Sequence, residues 1–77
     1  MASLELTPEE QVIQREERMR VRQAIQRLSE PYKDVFILHA YANVKLKEIA
    51  ELYERSEMWA RVTYYRAKQK IIQEVSK

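Results

Sequence analysis

Two helical patterns separated by a short polar break, within residues 45–67, constrain the fold of this chain more than any other feature. On each side of the break, apolar residues recur at three-, four- and seven-residue separations, the spacing of one face of an α-helix. Ser56 lies in the break, where its hydroxyl oxygen can accept from an amide of the second helix, and Glu57 suits the positive end of that helix. The pattern predicts two helices joined by a turn of three or four residues. Its apolar positions are Leu46, Ile49, Ala50 and Tyr53, then Ala60, Tyr64, Ala67 and Ile71.

The composition favours helices throughout the chain. The 77 residues include no glycine and only two prolines, Pro8 and Pro31, and 34% of them are charged. Glu, Lys and Arg are good helix formers, and no segment alternates apolar and polar residues as a strand would. We therefore expect an all-α fold, a small four-helix domain with a C-terminal helix-turn-helix. A chain of this length buries only roughly 60% of its unfolded surface, so a deep, walled active-site cavity is excluded.

The sequence also limits the cofactors and the compartment. It has no cysteine, which excludes disulfides and thiolate metal sites and is compatible with a reducing environment. It shows no signal peptide and no apolar run near the ~20 residues that a membrane span needs. We expect a cytoplasmic protein that uses no metal or other cofactor and does not associate with a membrane.

The charge is distributed unevenly along the chain. The net charge is only +2, but residues 58–77 contain five Lys and Arg against a single acidic residue, Glu74. A cationic last helix is compatible with a solvated surface, and charge alone leaves that interpretation and nucleic-acid binding equally open. Because this helix is also the second of a helix-turn-helix pair, the combination favours nucleic acid.

The first helix has a clear start signal. After a flexible segment of residues 1–7, Thr7 can act as the N-cap, Pro8 suits the first helical position and Glu10 completes a capping box. The helix is expected to end near Arg27. Residues 8–77 are thus predicted to form the domain.

The two halves of this first helix differ in polarity. An apolar stripe marks the second half, whereas the first half is mostly polar. The polar half is either solvated and held by pairs such as Glu16 with Arg20, or it continues from a domain that this chain lacks. The stripe consists of Val21, Ala24, Ile25 and Leu28.

The second helix, predicted over residues 30–41 with Ser29 as a possible cap, carries more apolar surface than one stripe needs. Phe36, Ile37 and Tyr41 are candidates for a surface that binds a protein partner, since a leftover apolar patch often marks such a site. The alternative is that a small domain buries all three side chains.

A turn and two further helices complete the chain. Asn43 is the residue best able to adopt a positive φ in the turn. The third helix is predicted over residues 46–53 and the fourth over residues 57–74. Lys45 and Lys47 lie at the start of the third helix, where the side chains and the helix amides together suit a phosphate, although two solvated lysines are equally compatible.

The outward face of the fourth helix carries side chains that can read bases. Arg61 and Tyr65 lie one turn apart, as do Val62 and Arg66. Arginine can bond O6 and N7 of guanine together, and the apolar atoms of valine or tyrosine can contact a thymine methyl group. Lys68 flanks this strip and can reach a phosphate. In a helix-turn-helix, the second helix is the one that enters the major groove.

Catalytic interpretations find little support. His39 is the only histidine, and Asp34 is five residues away on another face of the same predicted helix. No serine lies beside a base and no glycine-rich phosphate loop is present. Glu51, Glu54 and Glu57 are better explained as a solvated acidic edge than as a metal site, which needs more convergent oxygens. We expect no enzymatic activity.

Residues 28–71 contain a distinctive set of positions: Leu28, Pro31, Tyr32, Val35, Phe36 and Leu38, then Lys47-Glu48-Ile49-Ala50-Glu51, then Ser56-Glu57, and finally residues 59–68. In this set the chain resembles region four of bacterial RNA polymerase sigma factors of the extracytoplasmic-function group. The resemblance implies a four-helix domain that reads the minus-35 promoter element, docks on the flap of the polymerase β subunit and is captured by an anti-sigma factor. It also implies that the chain is a fragment without region two, which reads the minus-10 element.

The resemblance also assigns roles to single residues. It implies base contacts by Arg61, Val62, Tyr65 and Arg66. It implies phosphate contacts by the following residues: Lys45, Lys47, Arg55, Thr63 and Lys68.

The chain departs from the family pattern at three places. Glu54 stands where members usually have glycine, Lys45 where they often have Ser or Thr, and Met58-Trp59 where they often have a small residue and Thr. These departures concern the register of the turn and the bases read. We expect Trp59 to pack against the third helix rather than lie on the DNA backbone.

Two other functions are compatible with the sequence. One is a stand-alone helix-turn-helix regulator that dimerises through its first helix, although Glu16 and Glu17 interrupt the apolar seam that includes Val12, Ile13 and Met19. The other is a helical module that binds only proteins. A monomer in isolation is the expected state.

Overall fold

The computed structural model describes residues 7–77 and contains four helices in that range. In chain order they are α1 (Pro8–Arg27), α2 (Tyr32–Ala40), α3 (Leu46–Leu52) and α4 (Glu57–Val75). The described part of the chain has no strand, so the all-α prediction is confirmed. The flexible segment predicted for residues 1–7 lies, apart from Thr7, outside the described residues.

The start of α1 follows the predicted capping box. The Thr7 hydroxyl oxygen accepts from the Glu10 amide at 3.2 Å, and Glu10 Oε1 accepts from the Thr7 amide at 3.0 Å. Pro8 occupies the first turn, where it has no amide hydrogen to satisfy. Local chemistry alone is therefore sufficient to begin this helix.

The core is built around α4, which packs against each of the other three helices. Small residues on its inner face let the neighbouring helices approach closely, and the largest fully buried side chains are Val35 of α2 and Ile49 of α3. An ion pair between Arg27 and Glu74, with 2.6 Å between the guanidinium nitrogen and the carboxylate oxygen, joins the end of α1 to the end of α4. The buried residues of α4 are Ala60, Thr63, Ala67 and Ile71.

The first half of α1 lies outside this core. Residues 8–20 are exposed, and the buried residues of α1 are Ala24 and Ile25, with Leu28 buried just after its end. The ion pairs found among the described residues do not include the predicted pair between Glu16 and Arg20. Tertiary packing therefore holds only the second half of this helix.

The start of α2 differs from the prediction. Its N-cap is Pro31, and the side chain of Ser29 does not cap the helix, contrary to the prediction. Instead, Glu30 Oε1 accepts from the Asp34 amide at 3.2 Å and the Ser29 carbonyl accepts from the Lys33 amide at 3.1 Å. Two residues predicted to be helical at the start are therefore part of the turn.

Two residues of the described chain have a positive φ without being glycine. Asn43 has φ 59°, as predicted for the turn between α2 and α3, and Glu54 has φ 54° in the turn between α3 and α4. Asparagine visits this region readily, whereas for glutamate it is unfavourable because the Cβ approaches the following carbonyl oxygen. The turn at Glu54 thus needs support from its surroundings.

Candidate nucleic-acid interface

The turn between α3 and α4 is closed by backbone hydrogen bonds. The Arg55 amide donates to the Ala50 carbonyl at 2.8 Å, and the Glu54 amide donates to the Glu51 carbonyl at 3.1 Å. This pair of bonds is a Schellman motif, which places its left-handed residue at Glu54. The Ser56 hydroxyl oxygen then accepts from the Trp59 amide at 3.1 Å, so the predicted cap of α4 is confirmed. The backbone therefore defines the angle at which α4 leaves the turn.

Trp59 supports this turn from the inside. The centre of its half-buried ring lies 5.2 Å from the ring centre of Tyr53, the C-cap residue just after α3, and 5.5 Å from the guanidinium of Arg55. The expectation that Trp59 packs toward α3 is thus met through Tyr53. At this distance the guanidinium makes a cation–π contact with the ring.

Tyr53 also connects the helix pair to α2. Its hydroxyl donates to Asp34 Oδ2 at 2.5 Å. Burial, followed by the hydrogen bond to Asp34 and the negative charges of Asp34 and Glu30, raises the pKa of Tyr53 from 10.0 to about 12. The phenol therefore keeps its proton well above the pH at which a free tyrosine loses it, and the link persists throughout the neutral range.

The outward strip of α4, which we define as Arg61, Val62, Tyr65 and Arg66, is exposed to solvent. Tyr65 is 61% exposed and Val62 is 36% exposed. No other part of the described chain covers this strip, because the core lies on the opposite side of the helix. Arg61 and Arg66 are thus both exposed to solvent and not buried in the core.

Arg61 has a carboxylate partner within this helix. Its Nη2 lies 3.0 Å from Oε2 of Glu57, which is one turn earlier. Both side chains remain largely in solvent, at 61% and 47% exposure. The pair had no counterpart in the sequence predictions, although the separation of four residues is a recognisable signal for it.

The profile of the family described as "Sigma-70, region 4" matches residues 18–71, which is most of the chain. The chain belongs to the sigma-70 region 4 family. The match begins near the point where α1 starts to pack into the core, so the exposed first half of α1 lies largely outside it. No curated protein matches the chain significantly.

Membership of the sigma-70 region 4 family carries a general function. Region 4 is a DNA-binding regulatory domain of sigma factors that acts on promoters with RNA polymerase, and it is not an enzymatic family. The resemblance seen in the sequence is confirmed at this level. The helix-turn-helix of this region 4 domain is the pair α3 and α4.

The region 4 fold exposes four of the five residues predicted to bind phosphates and buries the fifth. Lys45, Lys47, Arg55 and Lys68 are all exposed, and the Lys68 ammonium lies 5.8 Å from the centre of the Tyr64 ring. Thr63 is only 5% exposed, so its assignment as a phosphate contact is wrong. Thr63 lies on the buried face of α4, between the buried alanines Ala60 and Ala67.

The predicted protein-binding surface is also changed by the tertiary structure. Phe36 is half-buried and stacks on Tyr64 with 5.5 Å between ring centres, so much of its ring packs against the core and less of it than predicted is available to a partner. Ile37 and Tyr41 are exposed, the latter by 64%. They line an apolar groove of about 480 Å³ between α1 and α2, together with residues that the sequence analysis missed: Arg18, Arg22, Ile25 and Gln26.

The remaining candidates have structural explanations in this region 4 domain. His39 Nδ1 is 2.9 Å from the Val44 carbonyl oxygen, and its ring lies 4.6 Å from that of Tyr64. Within the described residues, no three His, Asp or Glu side chains converge as a metal site would require. None of the described helices is long and apolar enough to cross a membrane.

Proposed function

We propose that this chain reads the minus-35 promoter element as region four of a sigma factor of the extracytoplasmic-function group. The observation that carries the proposal is the outward strip of α4, which presents two arginines with apolar atoms between them on the second helix of a helix-turn-helix. This role places the protein in the cytoplasm with the polymerase core.

The proposed contacts follow from the chemistry of the strip. The first half of α4 lies in the major groove, where Arg61 and Arg66 each bond a guanine edge and Val62 and Tyr65 meet thymine methyl groups. Around it, the exposed cations hold the phosphate backbone and set the orientation without reading sequence. These cations are Lys45, Lys47, Arg55 and Lys68.

The small number of cations limits the affinity of the isolated domain. With few phosphate contacts, non-specific binding is expected at roughly 10⁻⁴ to 10⁻⁶ M at physiological salt. Useful promoter binding would therefore depend on the rest of the factor and on the polymerase core, which hold the domain near its site.

Substitution of one base-reading and one phosphate-binding residue tests the proposal. Arg66→Ala should weaken the cognate duplex by roughly 1–3 kcal/mol and relax one base preference, because it removes a contact to a base edge. Lys68→Ala should weaken all duplexes alike and flatten the dependence on salt. Both are measured by titration of a site first selected from a random pool, with polymerase core added to increase the affinity.

Each variant serves as the control for the other, since both remove one positive charge from the exposed side of α4. If both lost the same affinity on cognate and scrambled duplexes, the assignment of base contacts to the outward strip would be incorrect.

The groove between α1 and α2 is our candidate for docking on the polymerase β-subunit flap. Its floor is apolar and its rim carries Arg18 and Arg22, so it suits an apolar segment with acidic flanks. It is also on different helices from the outward strip, which leaves DNA and protein binding compatible. We propose the same groove as the surface that an anti-sigma factor would capture.

Ile37→Glu should lower the affinity for polymerase core by about fivefold or more, because a charge would be buried in the apolar floor. Its affinity for duplex DNA should stay unchanged. The matched control is Ile72→Glu, which places the same charge on an exposed isoleucine of α4 outside the groove. Equal losses in both variants would show that the groove is not the docking surface.

The structure gives little support to a stand-alone dimer. Val12 and Met19 are exposed by 53% and 54%, but they lie on the side of α1 opposite to its packed stripe, with Glu16 between them. Sedimentation at micromolar concentration should show a monomer. The protein-only module would instead be favoured by a gel-shift experiment without salt-sensitive binding to any duplex.

A further inference from the structure

The ion pair between Glu57 and Arg61 lies where a recognition helix meets its bases. Glu57 is the first residue of α4, and its Oε2 is 3.0 Å from Nη2 of Arg61 one turn later. The N-terminal residues of the second helix are those that contact base edges in this type of DNA-binding domain. The carboxylate therefore lies beside a guanidinium that we have assigned to base reading.

We propose that Glu57 is a positioning residue that directs Arg61 toward a base edge and away from phosphates. This inference rests on the proposed function. The carboxylate holds one nitrogen of the guanidinium, and the remaining N–H donors of the planar fork are left for the acceptors of guanine. A free arginine would lose more conformational entropy on binding than one that is already held.

The pair is weak in the free domain and stronger in the complex. Both side chains are exposed, at 61% and 47%, so in solution water and salt screen the pair and it contributes little to stability. When the duplex displaces water from α4, the effective dielectric constant falls and the attraction between carboxylate and guanidinium rises. The orientation of Arg61 is thus enforced at the stage when bases are discriminated.

The same carboxylate affects how Arg61 contributes to affinity. Because Glu57 neutralises its charge, the pair adds little net attraction to phosphates, and Arg61 gains binding energy chiefly at a correct base. Arg66 differs, since none of the ion pairs among residues 7–77 involves it. The two arginines of the strip are therefore expected to differ in sequence selectivity, with Arg61 the more selective.

The test compares Glu57→Gln with wild type on a selected duplex and on its single-base variants. Removal of the negative charge should raise affinity for unrelated duplexes by about two- to threefold at low salt. Discrimination at one base pair should fall by about three- to tenfold, because Arg61 is no longer held. The control is Glu16→Gln, which removes the same charge from the exposed half of α1. Discrimination is the ratio of the affinities of one protein for two duplexes, so any change in the folded fraction of that protein cancels.

A double-mutant cycle with Arg61→Ala separates positioning from simple repulsion. In the Arg61→Ala background, Glu57→Gln should no longer change discrimination, because the group that it orients is absent. The inference is overturned if Glu57→Gln raises affinity for all duplexes by one factor, or if its effect on discrimination persists without Arg61. If wild type selects no preferred sequence, the proposed function is wrong, and this inference, which depends on it, is wrong as well.

Discussion

At the scale of single residues, the absence of glycine has its clearest effect at Glu54. The Schellman motif that ends α3 requires a left-handed residue there, and this chain provides glutamate at φ 54°. A left-handed conformation costs an L-residue with a Cβ roughly 1–2 kcal/mol, so the turn is formed against a local preference. The hydrogen bonds of Glu54 and Arg55 and the packing of Trp59 on Tyr53 are the contacts that support it.

Glu54→Gly should therefore stabilise the domain. The left-handed penalty disappears, while the greater freedom of glycine in the unfolded chain offsets part of the gain, which leaves about 0.5–1 kcal/mol. The measurement is the free energy of unfolding in urea. The control is Glu51→Gly, an exposed position inside α3, where glycine should destabilise by about 1 kcal/mol. Destabilisation by both substitutions would show that the side chain of Glu54 matters more than its backbone conformation.

At the scale of elements, one hydrogen bond joins α2 to the helix pair that we propose binds DNA. Tyr53 at the end of α3 donates to Asp34 in the first turn of α2. The same tyrosine packs on Trp59 of α4, so three helices meet at this side chain. The orientation of the outward strip relative to the groove between α1 and α2 depends on this junction.

Tyr53→Phe should cost about 1–2 kcal/mol of stability, because it removes a hydrogen bond to a charged group. Tyr53 also makes stability depend on alkaline pH. Its pKa is raised in the folded state from 10.0 to about 12, so between these values the unfolded chain has lost a proton that the folded chain retains. This contribution is complete below pH 10 and is lost as the pH rises toward 12.

Urea unfolding of wild type and Tyr53→Phe between pH 8 and pH 11.5 measures this contribution. The difference in stability between the two proteins should shrink as the pH rises. Because both proteins contain the other tyrosines, the contributions of those residues cancel in this difference. A difference that stayed constant across this range would contradict the raised pKa.

At the scale of the whole molecule, α1 is divided into a packed half and an exposed half. The second half buries its stripe against α2 and α4, whereas residues 8–20 extend into solvent with a capping box at their start. An isolated segment of this length is a marginal helix in water, so its helicity depends on the cap and on continuity with the packed half. The family profile begins at residue 18, near the boundary between the halves.

Proline substitutions at two exposed glutamines of α1 should separate the halves. Gln14→Pro should lower the helical circular dichroism but cost less than about 1 kcal/mol of global stability, because little packing is lost. Gln23→Pro, in the packed half, should cost about 3 kcal/mol or more. Similar losses in the two variants would mean that the exposed half contributes to the cooperative unit. Both are measured by urea unfolding.

Local chemistry was sufficient for most of the secondary structure. The capping box at Thr7, the cap at Ser56 and the left-handed turn at Asn43 depend on neighbours within a few residues, so the sequence predicts them directly. The bounds of α1 were predicted without error for the same reason. The start of α2 was misplaced, because a glutamate side chain competes with Ser29 for the amides of the first turn.

Tertiary packing decided which faces remain available. Helical spacing places Tyr64 on the predicted inner stripe of α4 and Thr63 beside that stripe. The position of the neighbouring helices instead buries Thr63 and leaves Tyr64 only half-buried. Phe36 is partly covered by Tyr64, which is 28 positions later in the chain. The groove at Ile37 likewise needs α1 and α2 side by side, a relation between distant segments that helical periodicity does not contain. The sequence by itself thus determined the four helices, the caps of α1 and α4 and the basic strip, whereas the assembled core determined which side chains a partner can touch.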